Sequence, residues 1–202
     1  MLDPEERPGF HPEPPANLRE QKLPVIQIQQ PWFRIYKSHH NPLYFGQTGD
    51  NRFDAPAQEF GVMYIASDPH GAFIETFGSQ TGIRVVSASE LSIRSISELT
   101  CMRLLKLVDI TGSGVAHLGA DARLATGSHR IAQLWAQELW SHPDQVDGIY
   151  YRARHDLDQT CAAIFARAES VFEIANTQLC ISRNFSKTLA TILNTYQFGL
   201  VT

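Results

Sequence analysis

Apolar and polar positions along the chain predict short strands and helices. In "WFRIYK" (32–37), side chains alternate at the two-residue period of a strand. The run "GVMYIA" (61–66) is also typical of a strand, because it is short, apolar and rich in β-branched and aromatic residues. The stretch "SDPHGAFIETFG" (67–78) predicts a helix with a serine or aspartate cap, Pro69 in its first turn and Gly78 at its end.

The second half of the chain continues this mixture. Two segments have helical periodicity: "SHRIAQLWAQELWSH" (128–142) and "NFSKTLATILNTYQF" (184–198). Four apolar segments are predicted strands: "IRVVS" (83–87), "RLLKLVDIT" (103–111), "DGIYYRA" (147–153) and "TCAAIFA" (160–166). No regular strand–helix–strand repeat connects them. The sequence therefore predicts a single α+β domain rather than a doubly wound parallel sheet.

The composition changes near both ends of the chain. Residues 1–31 contain seven of the eleven prolines, which predicts an extended or disordered arm. The alternative is a strap that docks along the domain or on a partner. Residues 32–176 form the predicted domain, and residues 177–202 form a C-terminal helical extension. The apolar stripe of that extension either caps the domain's own core or packs against a partner protein or a second copy in a homo-oligomer.

Charge and cysteine content narrow the function classes. The formal net charge of −4 and the pI near 6.0 provide no basic surface for a phosphate backbone, so we expect no direct nucleic-acid binding. Three cysteines without a CxxC spacing indicate reduced thiols rather than disulfides or a thiolate zinc site. No apolar run approaches the roughly 18 residues of a membrane span. We expect a cytoplasmic protein that does not bind membranes.

Familiar catalytic signatures do not occur in the sequence. The histidines show no HExxH pair, and no GxSxG motif marks a nucleophilic serine. The glycine-rich "TGSGVAHLG" (111–119) fits neither the dinucleotide fingerprint nor a P-loop, and we interpret it as a flexible turn. We therefore expect no metal site and no bound cofactor.

Three polar residues within 24 positions indicate a site. Arg52 ends a turn-rich loop, Tyr64 lies on an apolar strand and Glu75 lies on the next helix. A polar side chain on an apolar element must reach solvent or find a partner, because burying it unpaired is costly. Each also has a simpler interpretation. Arg52 could pair with Asp50 or Asp54 at the surface, Tyr64 could pack in the core, and Glu75 could be solvated.

The order of five segments carries a family resemblance. These segments are "WFRIY", "NRFDAP", "GVMYIASDPHGAFIET", "DGIYYRARHD" and "CAAIF". Over about residues 32–170 the chain resembles the RES domain family, named for an arginine, a glutamate and a serine. The resemblance implies a fold akin to ADP-ribosyltransferases, with a mixed, mainly antiparallel sheet. It also implies a toxin that degrades NAD+ as its substrate and is held in check by a DNA-binding antitoxin.

The resemblance also assigns site residues. It places the family arginine at Arg52, the tyrosine at Tyr64, the glutamate at Glu75 and a further arginine at Arg34. The family serine would fall at Ala153, where this sequence departs from the pattern. Three explanations remain open: a naturally weakened member, an alanine introduced so that a toxic protein could be produced, or a correspondence shifted by a few positions. The alternative function is an inactive module that binds NAD+ or a partner protein.

The chemistry of NAD+ cleavage gives these residues roles. Nicotinamide leaves as a neutral molecule, so the enzyme must stabilise an oxocarbenium-like ribosyl cation, which a carboxylate such as Glu75 can do. A guanidinium matches phosphate oxygens, which suits Arg52 and Arg34 to the pyrophosphate. The ring of Tyr64 can stack on the nicotinamide or the cationic sugar. Either water or inorganic phosphate could accept the ADP-ribosyl group.

Overall fold

A large sheet with α-helices packed against it organises the part of the chain that the computed structural model describes, residues 12–79 and 82–202. The helices are α1 Pro69–Phe77, α2 Ala88–Ser92, α3 Ser113–His117, α4 Arg123–Thr126, α5 His129–Trp140 and α6 Ser186–Thr195. The strands are β1 Val25–Ile28, β2 Trp32–Lys37, β3 Val62–Ala66, β4 Val85–Ser87, β5 Arg94–Cys101, β6 Leu105–Asp109, β7 Gly148–Ala153, β8 Asp156–Phe165, β9 Phe172–Leu179 and β10 Gly199–Val201. The predicted helices at 67–78, 128–142 and 184–198 are confirmed as α1, α5 and α6.

The strands form two sheets. Eight of them have the order β1-β6-β7-β8-β3-β2-β5-β9, and β10 pairs with β4 in a small second sheet. Within the large sheet β6 and β7 run parallel, and the other neighbours run antiparallel. The predicted α+β domain with a mainly antiparallel sheet is confirmed.

Strand alternation sends side chains into a core on each face of the large sheet. In β3, Val62 and Ala66 belong to the core that includes residues of α1 and α5, whereas Met63 and Ile65 belong to the core on the opposite face. Tyr64 shares the face of Val62 and Ala66 and packs against their core. Residues of α1 and the β3 phenol can therefore meet on this face.

Local signals fix α1 where the sequence predicts it. Asp68 is the N-cap, and its side chain accepts a hydrogen bond from the backbone N–H of His70 at 2.7 Å. Pro69 occupies the first turn, where its missing N–H is not needed. The buried face of the helix, including Phe73 and Ile74, anchors it to the sheet. This anchoring fixes the position of the last turn, which carries Glu75.

The N-terminal segment differs from the predicted extended or disordered arm. Residues 1–11 lie outside the described residues, but residues 12–31 pack on the domain. Here β1 pairs with β6, and the indole Nε1 of Trp135 donates to the carbonyl of Pro12 at 2.9 Å. Leu18 and Leu23 are buried in the main core. These leucines and the short strand β1 bury apolar surface, which the high proline content of the segment did not indicate. Residues 12–31 therefore dock along the domain, as the strap alternative predicts.

Two further segments also differ from their prediction. The "TGSGVAHLG" stretch, predicted to be a flexible turn, contains the helix α3. Gly114 permits this helix, because a Cβ there would overlap the carbonyl oxygen of Asp109. The predicted helical extension 177–202 begins inside β9 and ends with β10, so it is helical only in α6. In β9, most side chains are exposed and no alternation marks the strand.

Candidate active site

A cavity of about 450 Å³ opens beside α1, β2, β3 and β7. Its polar lining residues come from six separate segments of the chain. They are Arg34, Asn51, Arg52, Tyr64, Glu75, Thr76, Ser79, His129, Tyr151, Arg154 and His155. The structure therefore brings Arg52, Tyr64 and Glu75 to one cavity. A volume of this size falls within the range of small-molecule and cofactor sites.

Glu75 lies half-buried in the last turn of α1. Its Oε1 accepts a hydrogen bond from the backbone N–H of Arg154 at 3.0 Å. Burial raises the pKa of Glu75 above its ordinary value, while that N–H and the positive charges of Arg52 and Arg154 oppose the rise. Glu75 is thus a half-buried carboxylate held near two guanidinium groups.

Arg52 is fixed by contacts between its loop and α5. Its Nη1 donates to the carbonyl of Gly127 at 2.5 Å. On the same side, Nε2 of Gln133 donates to the carbonyl of Gly49 at 2.8 Å, and Nδ1 of His129 lies 3.1 Å from the carbonyl oxygen of Asp50. Burial and the nearby charge of Arg154 lower the pKa of Arg52, yet a guanidinium stays protonated in proteins. The loop therefore presents a fixed cation to the cavity.

Tyr64 holds the same loop from the sheet. Its hydroxyl donates to Oδ1 of Asp54 at 2.9 Å and accepts from the backbone N–H of Phe53 at 2.9 Å. Asp54 is fully buried and also accepts from the N–H and the side-chain amide of Asn51. Burial raises the pKa of Tyr64 well above its ordinary value, so the phenol remains a donor. The hydroxyl is engaged by the loop, and the ring borders the cavity.

Arg34 lines the cavity, but its guanidinium serves the loop that follows β2. Its Nη1 donates to the carbonyls of Pro42 and Tyr44 at 2.7 and 2.9 Å. Its neighbours Phe33 and Ile35 pack on the core that includes Tyr64. Alternation therefore directs the Arg34 side chain to the opposite face of β2. The structure does not bring this guanidinium together with Arg52 and Glu75.

Ala153 does not line the cavity. It is 0% exposed, belongs to the main core and is not among the lining residues. A serine that the sequence analysis did not identify as a site residue, Ser79, does line the cavity.

Tyr151 and Arg154 also line the cavity. Tyr151 is buried, and its two-residue spacing from Ala153 and Ile149 on β7 places it on the inner face. Arg154 follows the end of β7, where the strand register shifts, so simple alternation does not determine its direction. The two-residue period of β7 places Tyr151 on the inner face, but the sheet order is also needed to bring it to the cavity.

Comparison with known proteins identifies the family. The RES domain family model matches residues 31–184. This chain belongs to the RES domain family. The RES resemblance drawn from the sequence is therefore confirmed. The curated proteins contain no match to the sequence.

A solved structure shares the RES fold. The crystal structure of the M. tuberculosis MbcT–MbcA toxin–antitoxin complex contains a chain with a TM-score of 0.66 and 13% sequence identity to this one. The match covers 82% of this chain and 92% of that chain. At this identity the likeness establishes a common fold.

Within residues 12–79 and 82–202, no group of three or more histidine, cysteine, aspartate or glutamate side chains is arranged to hold a metal ion. In the same ranges, no helix is long and apolar enough to cross a membrane. The three cysteines are free and buried.

Proposed function

We propose that this RES-domain protein is an enzyme that cleaves the nicotinamide–ribose bond of NAD+, by hydrolysis or phosphorolysis. The observation that carries the proposal is the shared cavity of Glu75 and Arg52. A half-buried carboxylate and a fixed guanidinium border the same space, and each affects the pKa of the other. Cleavage of the dinucleotide requires a negative charge beside the developing ribosyl cation and a positive charge beside the pyrophosphate.

Glu75 supplies the charge for the bond-breaking step. The departing nicotinamide takes the electron pair of the C–N bond and becomes neutral, so no general acid is needed. Positive charge develops on the ribose, and a nearby carboxylate stabilises it more strongly in the transition state than in the ground state. The surrounding low dielectric strengthens this interaction. The raised pKa of Glu75 reflects that environment.

Arg52 and Arg154 are suited to the pyrophosphate. Both line the cavity, and both place positive charge close to Glu75. A planar guanidinium offers paired donors to phosphate oxygens. Arg34 acts indirectly in this proposal, since it ties the loop after β2 through carbonyl oxygens. The rings of Tyr64 and Tyr151 supply the aromatic surface for the nicotinamide or the sugar.

The first prediction concerns Glu75. The substitution Glu75→Gln keeps the shape of the side chain and removes its charge, so we expect nicotinamide release to fall by at least about 100-fold. The measurement is chromatographic detection of nicotinamide after incubation with NAD+. Glu173→Gln is the matched control, because Glu173 is exposed on β9 and the variant should keep full activity. Equal turnover in both variants would remove Glu75 from the mechanism.

The wild-type protein tests the alternative function. If calorimetry detects NAD+ binding but the wild-type protein releases no nicotinamide, the proposed enzymatic activity is contradicted. It would instead favour an inactive module that binds NAD+ or a partner protein.

We also propose that the protein is the toxin of a toxin–antitoxin pair and acts by depleting NAD+. The family membership and the structural neighbour in a toxin–antitoxin complex support this proposal. Expression in bacteria should arrest growth and lower cellular NAD+, and co-expression of the protein encoded by the adjacent gene should restore both. Growth arrest by Glu75→Gln equal to that by the wild type would show that toxicity does not depend on cleavage.

A further inference from the structure

Tyr196 lies beyond the family match, yet it contacts the helix of the candidate site. It is the C-cap of α6 and follows the matched residues 31–184. Its ring is parallel to that of Phe73, with centroids 6.5 Å apart, and meets the ring of His70 edge-on at 6.1 Å. Both rings belong to α1, which also carries Glu75. The C-terminal extension therefore packs directly on the helix of the catalytic candidate.

The hydroxyl of Tyr196 holds the turn between β7 and β8. It donates to Oδ2 of Asp156, the first residue of β8, at 2.7 Å. The other oxygen of this carboxylate accepts from the backbone N–H of Asp158 at 3.0 Å. Burial and the hydrogen bond to Asp156 both raise the pKa of Tyr196. The phenol is therefore protonated and acts as the donor.

The turn that Asp156 closes faces the cavity. Its two residues, Arg154 and His155, line the cavity. The backbone N–H of Arg154 donates to Oε1 of Glu75 at 3.0 Å. The orientation of the Glu75 carboxylate thus depends on where this turn lies relative to α1. Tyr196 contacts α1 through its ring and the turn through its hydroxyl.

We propose that Tyr196 is a positioning residue, whose hydrogen bond to Asp156 fixes the Arg154–His155 turn and thereby orients Glu75 for NAD+ cleavage. The inference rests on the proposed function. Tyr196 is not among the residues that line the cavity, so it acts through Asp156 and Arg154 rather than on the substrate. It assigns a role in the reaction to a residue outside the matched RES domain.

The test is Tyr196→Phe, which keeps the ring and removes the hydroxyl. We expect kcat for nicotinamide release to fall about tenfold with KM changed less than about threefold, because the lost interaction orients a group that acts in the transition state. The N–H of Arg154 lowers the pKa of Glu75. A displaced turn weakens that bond, so the acid limb of the kcat/KM profile should move to higher pH.

Two comparisons isolate the hydrogen bond. Tyr36→Phe is the control. It removes a tyrosine hydroxyl that hydrogen-bonds the hydroxyl of Ser97 at 3.0 Å, on the face of β2 opposite Ile35. This variant should leave kcat and the acid limb of the pH profile unchanged. Asp156→Ala should reproduce the effect of Tyr196→Phe, whereas Asp156→Asn keeps an acceptor and should retain most of the activity. The double variant of Tyr196→Phe and Asp156→Ala should lose no more than the larger single loss.

The outcomes distinguish this inference from the proposed function. Suppose that the wild-type protein releases nicotinamide and that Tyr196→Phe has the same kcat and the same acid limb. This result would overturn the inference and leave the proposed function intact, even if the variant melts at a lower temperature. If wild-type protein releases no nicotinamide, both proposals are overturned. If Tyr196→Phe does not fold, the comparison of Asp156→Asn with Asp156→Ala decides the inference, and equal rates in those two variants would overturn it.

Discussion

Among single residues, Glu75 carries a negative charge in a place that disfavours one. It is half-buried, and it lies in the last turn of α1, where the helix dipole is negative. The N–H of Arg154 and the charge of Arg52 only partly offset the burial, since the pKa of Glu75 is still raised. Perturbed carboxylates of this kind concentrate at functional sites. The ionised carboxylate thus lowers the stability of the fold, at the position where the proposed chemistry needs a negative charge.

A stability prediction follows from the sign of this shift. The pKa of Glu75 is higher in the folded than in the unfolded state, so its stabilising contribution is complete below the unfolded value and is lost as pH rises through the folded value. At pH 7 the ionised group therefore lowers the free energy of unfolding. Glu75→Gln should melt at a higher temperature than wild type at pH 7, and the difference should shrink as the pH falls through the raised folded-state pKa and vanish below about 4.5.

Thermal melts of both proteins between pH 4 and pH 8 measure this difference. The exposed control Glu173→Gln should stay within about 0.5 kcal/mol of wild type across the range. A Glu75→Gln protein that is less stable than wild type at pH 7 would show that the contacts of the carboxylate outweigh its burial.

Among secondary-structure elements, those with local signals could be predicted. The cap, proline and terminal glycine of α1 occur within the eleven residues from Asp68 to Gly78, so the sequence alone predicted its bounds. Strand β5 has no such signal. Its Ser95 and Ser97 are buried, and the hydroxyl of Ser97 bonds Tyr36 and Thr177 from the neighbouring strands. Buried hydroxyls satisfied by distant partners break the apolar pattern that identifies a strand.

The candidate site shows the same division between local and distant information. Arg52, Tyr64 and Glu75 lie within 24 residues on consecutive elements, so their convergence could be proposed from the sequence. Tyr151 and Arg154 reach the cavity because β7 lies two strands from β3 in the sheet. Strand order is set by long-range pairing, which no local pattern encodes. The convergence of Tyr151 and Arg154 with Glu75 therefore could not be derived from local sequence patterns.

At the scale of the whole molecule, the N-terminal segment is part of the folded unit. Its contribution to the free energy of unfolding can be measured. Leu18 is 0% exposed and packs in the main core, with β1 paired to β6 beyond it. Leu18→Ala leaves a cavity in that core, so we expect the free energy of unfolding to fall by about 2–5 kcal/mol. Denaturant titration of both proteins measures the loss.

Leu157→Ala is the control for this prediction. Leu157 is 65% exposed, so the same truncation there should change stability by no more than about 0.5 kcal/mol. The two variants remove identical atoms and differ only in burial. A single transition shifted to lower denaturant in Leu18→Ala would mean that the segment unfolds together with the domain. If both variants unfold at the wild-type midpoint, the segment contributes nothing to the stability of the RES domain, because its leucine can be truncated without loss.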